Sequence, residues 1–263
     1  MRITAQLIDA TQDQHLWSER YDQPLTELFV LQDEIRRKIV MALKVKLTPD
    51  ESERFQRAPT NNLEAYDFYL RGWEDFWHAF YEAKKEQNGQ ARQMYEKAIA
   101  LDPQYAAAYA GLGLTYFVDW YYQWNLDAAQ SLERAIEIGQ RAIALDETLA
   151  RSHWLLGAAY VWKKQYDQAM LEGERAVALD PNNAEGYWIL GDILRFSGRP
   201  PEESIELINK AMRLNPKKLP QYLVALGATY RVAGRCEEAL TPLKKVLILN
   251  PNFPPAHINL AAC

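Results

Sequence analysis

Two periodicities divide the chain. Over Arg2–Asp9 apolar and polar side chains alternate, Ile3, Ala5 and Leu7 against Thr4 and Gln6, the period of a half-buried strand. Thr11–Gln14 is polar and turn-like without an Asn-Gly or Asp-Gly pair, and His15–Tyr21 reads as the return strand, with Leu16 or Trp17 facing inward. From Pro24 the spacing changes to three and four. Leu28, Leu31, Ile35, Ile39, Leu43 and Leu47 form one apolar stripe, and Thr48-Pro49 ends that helix. Glu27, Asp33 and Glu34 come early in it and Arg36, Arg37, Lys38, Lys44 and Lys46 late, which suits the helix dipole. Glu51–Asn62, polar and containing Pro59, reads as a linker or short helix. Residues 1–60 thus predict a hairpin and one amphipathic helix, too little to fold alone. The segment is expected either to pack on the helical region beyond Asn62 or to be the tail of a domain that begins upstream.

Beyond Asn62 the helical period persists, and its clearest statement is Ala150–Pro181. Two amphipathic helices stand back to back there. Leu156, Gly157 and Tyr160 share one face of the first, and Ala169, Gly173 and Ala176 one face of the second. The small residues allow the two backbones to approach, and Pro181 closes the second helix because it has no N–H to donate.

The same wording recurs. Helix ends read A-I-A-L-D-P (Ala98–Pro103), A-I-A-L-D-E (Ala142–Glu147), A-V-A-L-D-P (Ala176–Pro181), A-M-R-L-N-P (Ala211–Pro216) and V-L-I-L-N-P (Val246–Pro251). A second series, Gly72, Gly113, Gly157, Gly191, Gly227 and Ala261, marks the first helix of each unit at steps of 41, 44, 34, 36 and 34 residues. From Asn62 onward this resembles the tetratricopeptide repeat, whose period is about 34 with small residues at the helix contact and a closing proline. The resemblance implies an all-α fold, a right-handed α-solenoid of helix-turn-helix units behind the short β-hairpin and helix. Its units fall at 61–103, 104–147, 148–181, 182–216 and 217–251, with a partial one at 252–263. Two units are longer than the pattern by about seven and about ten residues. The extra segments, Phe76–Gln90 and Asp119–Gln130, read as longer helices with extended turns that protrude from one edge. Gly198-Arg199-Pro200-Pro201 is a firm break inside the fourth unit. The last apolar face, Ile258, Leu260 and Ala261, has no second helix to cover it, so truncation at both ends is the expectation.

The opening residues, R-I-T-A-Q-L-I-D-A followed by H-L-W-S-E-R-Y-D and L-F-V-L-Q-D-E-I, look like the end of the TolB-like region found in bacterial signalling proteins. That resemblance covers about the first 50 residues. It implies that tetratricopeptide repeats follow, and that a class III adenylate/guanylate cyclase domain or a winged-helix DNA-binding domain often stands upstream. It concerns neighbours of the chain rather than an activity within it.

Composition narrows the partners. A net charge of −5 and only short basic clusters, Arg36-Arg37-Lys38 and Lys217-Lys218, argue against nucleic acid. Cys236 and Cys263 alone suggest a reducing compartment without a disulfide framework. With no apolar run long enough to span a bilayer and no signal core after Met1, a soluble cytoplasmic chain is expected. His15, His78, His153 and His257 lie far apart without metal spacing, so each reads as a turn or packing residue and no cofactor is implied. Glu202-Glu203 and Glu237-Glu238 sit on solvent faces, and no nucleophile has a base beside it. The chain is read as non-catalytic.

The inner face of such a solenoid carries the informative residues. The first unit places Tyr66, Tyr69, Trp73, Phe76 and Trp77 there, and the second Ala110, Leu114, Phe117 and Val118. The third contributes Arg151, Trp154, Ala158, Val161 and Trp162, the fourth Glu185, Trp188, Asp192, Arg195 and Phe196, and the fifth Gln221, Ala228, Arg231 and Val232. Aromatic rings and arginine in one patch are the usual anchors of an interaction site. The alternative is a self-occupied groove, with the rings burying one another or the helix Pro24–Thr48. Chaperone-tail binders of the family place Lys, Asn and Arg where this chain has Tyr69, Ala110 and Trp154. An apolar or amphipathic helical ligand therefore fits better, with Trp154, Trp188 and the Trp73/Trp77 pair as anchors and Arg195, Arg231 and Asp192 setting register. The preferred reading is a protein or peptide scaffold, the regulatory arm of a signalling protein. The alternatives are a cyclase whose catalytic domain lies outside the chain, and a self-assembly module.

Overall fold

A computed structural model describes residues 2–9, 14–24, 27–43, 59–125, 127–216 and 219–263. Residues 11–13 of the expected turn Thr11–Gln14, the helix end at Thr48-Pro49, residues 51–58 of the expected linker Glu51–Asn62, and Lys217-Lys218 lie outside these residues, and Gln14 opens a strand instead. The chain divides into two compact units, Met1–Leu63 and Glu64–Cys263.

In the first unit β1 (Arg2–Asp9) pairs antiparallel with β2 (Gln14–Asp22). Ile3, Ala5 and Leu7 stand opposite Tyr21, Glu19 and Trp17. That shared face is half-buried, so Trp17 rather than Leu16 is the inward residue. Helix α1 (Leu28–Ala42) begins four residues after Pro24, not at it. The Pro24 carbonyl accepts from the Glu27 N–H at 3.1 Å, a turn that precedes the helix. Leu31 is its most buried residue, and Lys38 reaches β2 to pair with Glu19 at 2.5 Å.

The second unit is a stack of helix pairs. The first helices are α2 (Leu63–Glu82), α4 (Ala106–Tyr121), α6 (Ala150–Trp162), α8 (Ala184–Phe196) and α10 (Leu219–Val232). Their partners are α3 (Lys85–Leu101), α5 (Ala128–Leu145), α7 (Tyr166–Leu179), α9 (Pro201–Leu214) and α11 (Cys236–Leu249), and α12 (Pro254–Ala261) follows. Helices α4, α6, α8 and α10 each pack on a partner and on the first helices of neighbouring units, and α2 joins them through Tyr69 against Tyr95 of α3 and Phe80 against Tyr121 of α4, which produces an α-solenoid.

The glycine series is explained by this contact. A Cβ on Gly157 would meet the Ala169 carbonyl and the Gly173 nitrogen at 3.3 Å, so a side chain there would drive α6 and α7 apart. The turn inside every pair also holds one left-handed residue: Ala83, Gln123, Lys164, Gly198 and Gly234. Only the last two are glycine, and only Gly198 is followed by a Pro-Pro pair, which is why sequence signalled just that turn.

Two expectations are corrected. The extra segments do not protrude; they clasp each other. Asn88 and Arg92 of α3 donate to the buried Asp119 carboxylate at 2.7 and 2.6 Å, and Asn125 joins them at 2.8 Å. The Tyr122 hydroxyl donates to the Phe80 carbonyl at 2.7 Å, and Lys85 to that of Trp124 at the same distance. The rings gain by mutual burial, and the hydrogen bonds to Asp119 offset the cost of burying its charge. Second, Cys236 and Cys263 form a disulfide, with Cα atoms 5.4 Å apart. Cys236 opens α11 and Cys263 follows α12, and the chain's reversal between the two helices brings these ends together. No helix among the described residues is long and apolar enough to cross a membrane.

Candidate functional site

The inner face is built by the first helices of successive units. In α4 the contact residues are small, Ala107 and Ala110 among them, both buried. Across that low ridge the side chains of α2 and α6 meet. The Arg151 guanidinium lies 3.7 Å from the centre of the Trp73 ring and donates to the Tyr69 hydroxyl. Trp73 in turn stacks on Phe76 at 5.7 Å and meets Trp77 edge-on at 5.1 Å.

Helix α2 is 20 residues long against 13 for α6 and α8, and its additional turns carry rings along the inner face. Phe80, near its end, reaches Trp188 of the fourth unit at 5.9 Å between centroids. Burial pushes the Tyr81 phenol well above its ordinary range, with Glu185 adding to the shift. The inner face is thus largely occupied by the chain's own rings, one of the two arrangements expected from sequence.

What remains open is a cavity of about 80 Å³. Phe76 and Trp77 from α2, Phe117 from α4, Trp154 and Trp162 from α6, and Trp188, Asp192 and Phe196 from α8 line it, so eight of the thirteen expected residues converge. Trp154 is only 5% exposed and Phe76 2%, which makes them walls rather than free anchors; Trp162 is 40% exposed and stands at the rim. Trp162 packs between Trp120 and Phe196, at 5.0 and 4.8 Å. Phe80 and Tyr121 also line the cavity, and sequence mapping missed both because they lie beyond the regular unit. The readable signal was that the aromatic spacing Trp73, Phe76, Trp77 and Phe80 continues at three and four.

The other expected residues divide. Tyr69, Trp73 and Arg151 form a cluster one helical turn from Trp154. Arg195 pairs with Asp192 at 2.8 Å and stacks on Phe196 at 4.0 Å, so it braces the cavity wall. Arg231 lies apart, donating to Asn259 at 3.0 Å. The cavity's polar lining is confined to Asp192 and the Trp and Tyr polar atoms; the Trp188 indole N–H is itself sealed from it and has no partner among the described residues. Burial pushes the Tyr121 phenol up to about 12, and Asp192 contributes. Such a wall can bury an apolar group.

A family model described as a TPR repeat matches residues 82–118. A thermophilic TPR protein of Thermus thermophilus superposes with a TM-score of 0.58 at 19% identity, over 75% of this chain and 97% of that one. A MamA fragment of Desulfovibrio magneticus RS-1 overlays more loosely, with a TM-score of 0.44 at 18% identity, over 73% of this chain and 97% of that one. Among curated proteins, "Putative adenylate cyclase 3" of Rhizobium meliloti (strain 1021) is 37% identical over 169 residues, 64% of this chain. The match spans 28% of that relative's length.

Proposed function

We propose that this tetratricopeptide repeat protein is a non-catalytic interaction module that takes an apolar or amphipathic segment of a partner protein at the aromatic cavity of its inner face. The observation that carries this reading is the cavity itself. An apolar space remains where rings from four units converge. Affinity capture with the wild-type chain, with Trp154→Ala/Trp188→Ala and with Leu171→Ala tests it. Leu171 is 67% exposed on α7 and serves as an outer-face control. The bound partner should be lost from the double variant and kept by the control, with helical content equal by circular dichroism. Unchanged capture by the double variant places the site elsewhere.

A second reading is favoured by the named relative. In it the chain is the repeat arm of a larger signalling protein, the hairpin and α1 are the end of a TolB-like region, and cyclase chemistry belongs to residues outside this chain. Deleting residues 64–263 from such a full-length protein should leave cyclisation intact while changing its regulation. Loss of regulation-independent turnover would count against that arrangement.

A further inference from the structure

We infer that Arg151 is a recognition point for a carboxylate, so that the segment taken at the inner face is an amphipathic helix with Asp or Glu three or four residues from the aliphatic side chain that enters the cavity. This rests on the groove reading above and gives the ligand its chemistry.

Three observations carry it. Arg151 lies against the Trp73 ring and on the Tyr69 hydroxyl, so its plane is fixed before any ligand arrives. No carboxylate of the described residues lies within ion-pair distance of it, whereas Arg92 has Asp119 and Arg195 has Asp192. Beyond Tyr69 its N–H groups have no protein acceptor among the described residues, and the side chain keeps partial exposure. A guanidinium offers five donors in a planar fork that matches a carboxylate.

Position supplies the spacing. Arg151 and Trp154 stand three residues apart on α6, on one face and about 5–6 Å from each other. Trp73 under the guanidinium stacks on Phe76, which lines the cavity. A helical ligand whose own side chains are three or four apart spans the same distance. The cavity of about 80 Å³ is well below the roughly 150 Å³ that admits benzene, and suits the tip of one aliphatic side chain.

The test is selection from a random 12-residue peptide library displayed on phage, against the wild-type chain, Arg151→Leu, Arg151→Lys and Trp188→Ala. Wild-type selections should enrich Asp or Glu at a fixed spacing of three or four from Leu, Ile or Met. The Arg151→Leu selections should keep the aliphatic residue and lose the acid. For one wild-type peptide, Glu→Gln should weaken binding at least about tenfold to the wild-type chain and have no effect on Arg151→Leu, as expected of a charge-assisted hydrogen bond. Arg151→Lys keeps the charge and loses the fork, and should retain part of the preference, which covers the case in which Arg151→Leu unfolds. Aliphatic enrichment without an acid overturns this inference and leaves the groove reading standing. Selections from which no peptide emerges, or which Trp188→Ala does not alter, overturn both.

Discussion

At the scale of single residues, His153 shows how a side chain first read as packing acquires a measurable role. It is buried on α6, its Nδ1 is 2.6 Å from Glu172 of α7, and its Nε2 is 2.9 Å from the Glu147 carbonyl. Burial opposes the charged imidazolium. The Glu172 carboxylate and the Glu147 carbonyl together outweigh it, and the pKa is raised above its ordinary 6.5. A group whose folded pKa exceeds its unfolded value stabilises the fold fully below the unfolded pKa and ceases to do so as pH rises through the folded one. The urea midpoint of the wild type should therefore fall between pH 6 and pH 8. Glu172→Gln should flatten that dependence and lower the imidazole pKa measured by NMR. A midpoint that rises over the same interval, or a variant with an unchanged slope, would show that the pair is uncharged in the fold.

At the scale of elements, the framework was legible and its departures were not. Gly157, Ala169 and Ala176 recur because two helix backbones must approach, so repetition of small residues reveals every pair. The long end of α2 obeys the same periodicity, but nothing in a repeat pattern says that Phe80 meets a ring 108 positions later at Trp188. The polar Asn88, Arg92 and Asp119 likewise look solvent-facing until the two long segments are folded against each other. The disulfide was invisible for a related reason: 27 positions separate two cysteines that only the reversal at Asn250–Phe253 brings together. It makes α12 a tethered element. Phe253 and Ala256 are its buried contacts, whereas Ile258 is 67% exposed. Closing a loop of this length stabilises a fold by about 3.5 kcal/mol in the chain-entropy account. Reduction with a dithiol should lower protection from amide exchange across Pro254–Ala261 and leave α6 and α7 unchanged. Equal protection in both redox states would mean that apolar docking alone holds the helix.

For the whole repeat unit the decisive question is how far cooperativity extends. In a regular solenoid each repeat touches only its neighbours, and stability is close to a sum of nearest-neighbour terms. Here Arg151 of the third pair lies on Tyr69 and Trp73 of the first, and Phe80 of the first meets Trp188 of the fourth. One apolar cluster accordingly runs from Ala65 to Ile193, while α8–α10 and α10–α12 hold two smaller ones. Contacts that skip a unit oblige distant pairs to unfold together, because opening one exposes rings on the other. Amide exchange measured against urea should show α2 to α8 losing protection at one concentration, with α10 to α12 released earlier once the disulfide is reduced. Phe80→Ala removes a half-buried ring worth about 2 kcal/mol. Its larger effect should be on shape: the single transition of α2 to α8 should separate into two, with a smaller denaturant slope for each. Loss of protection unit by unit in the wild type would show that the rings fill the inner face without coupling it, and a partner could then enter by opening one pair alone.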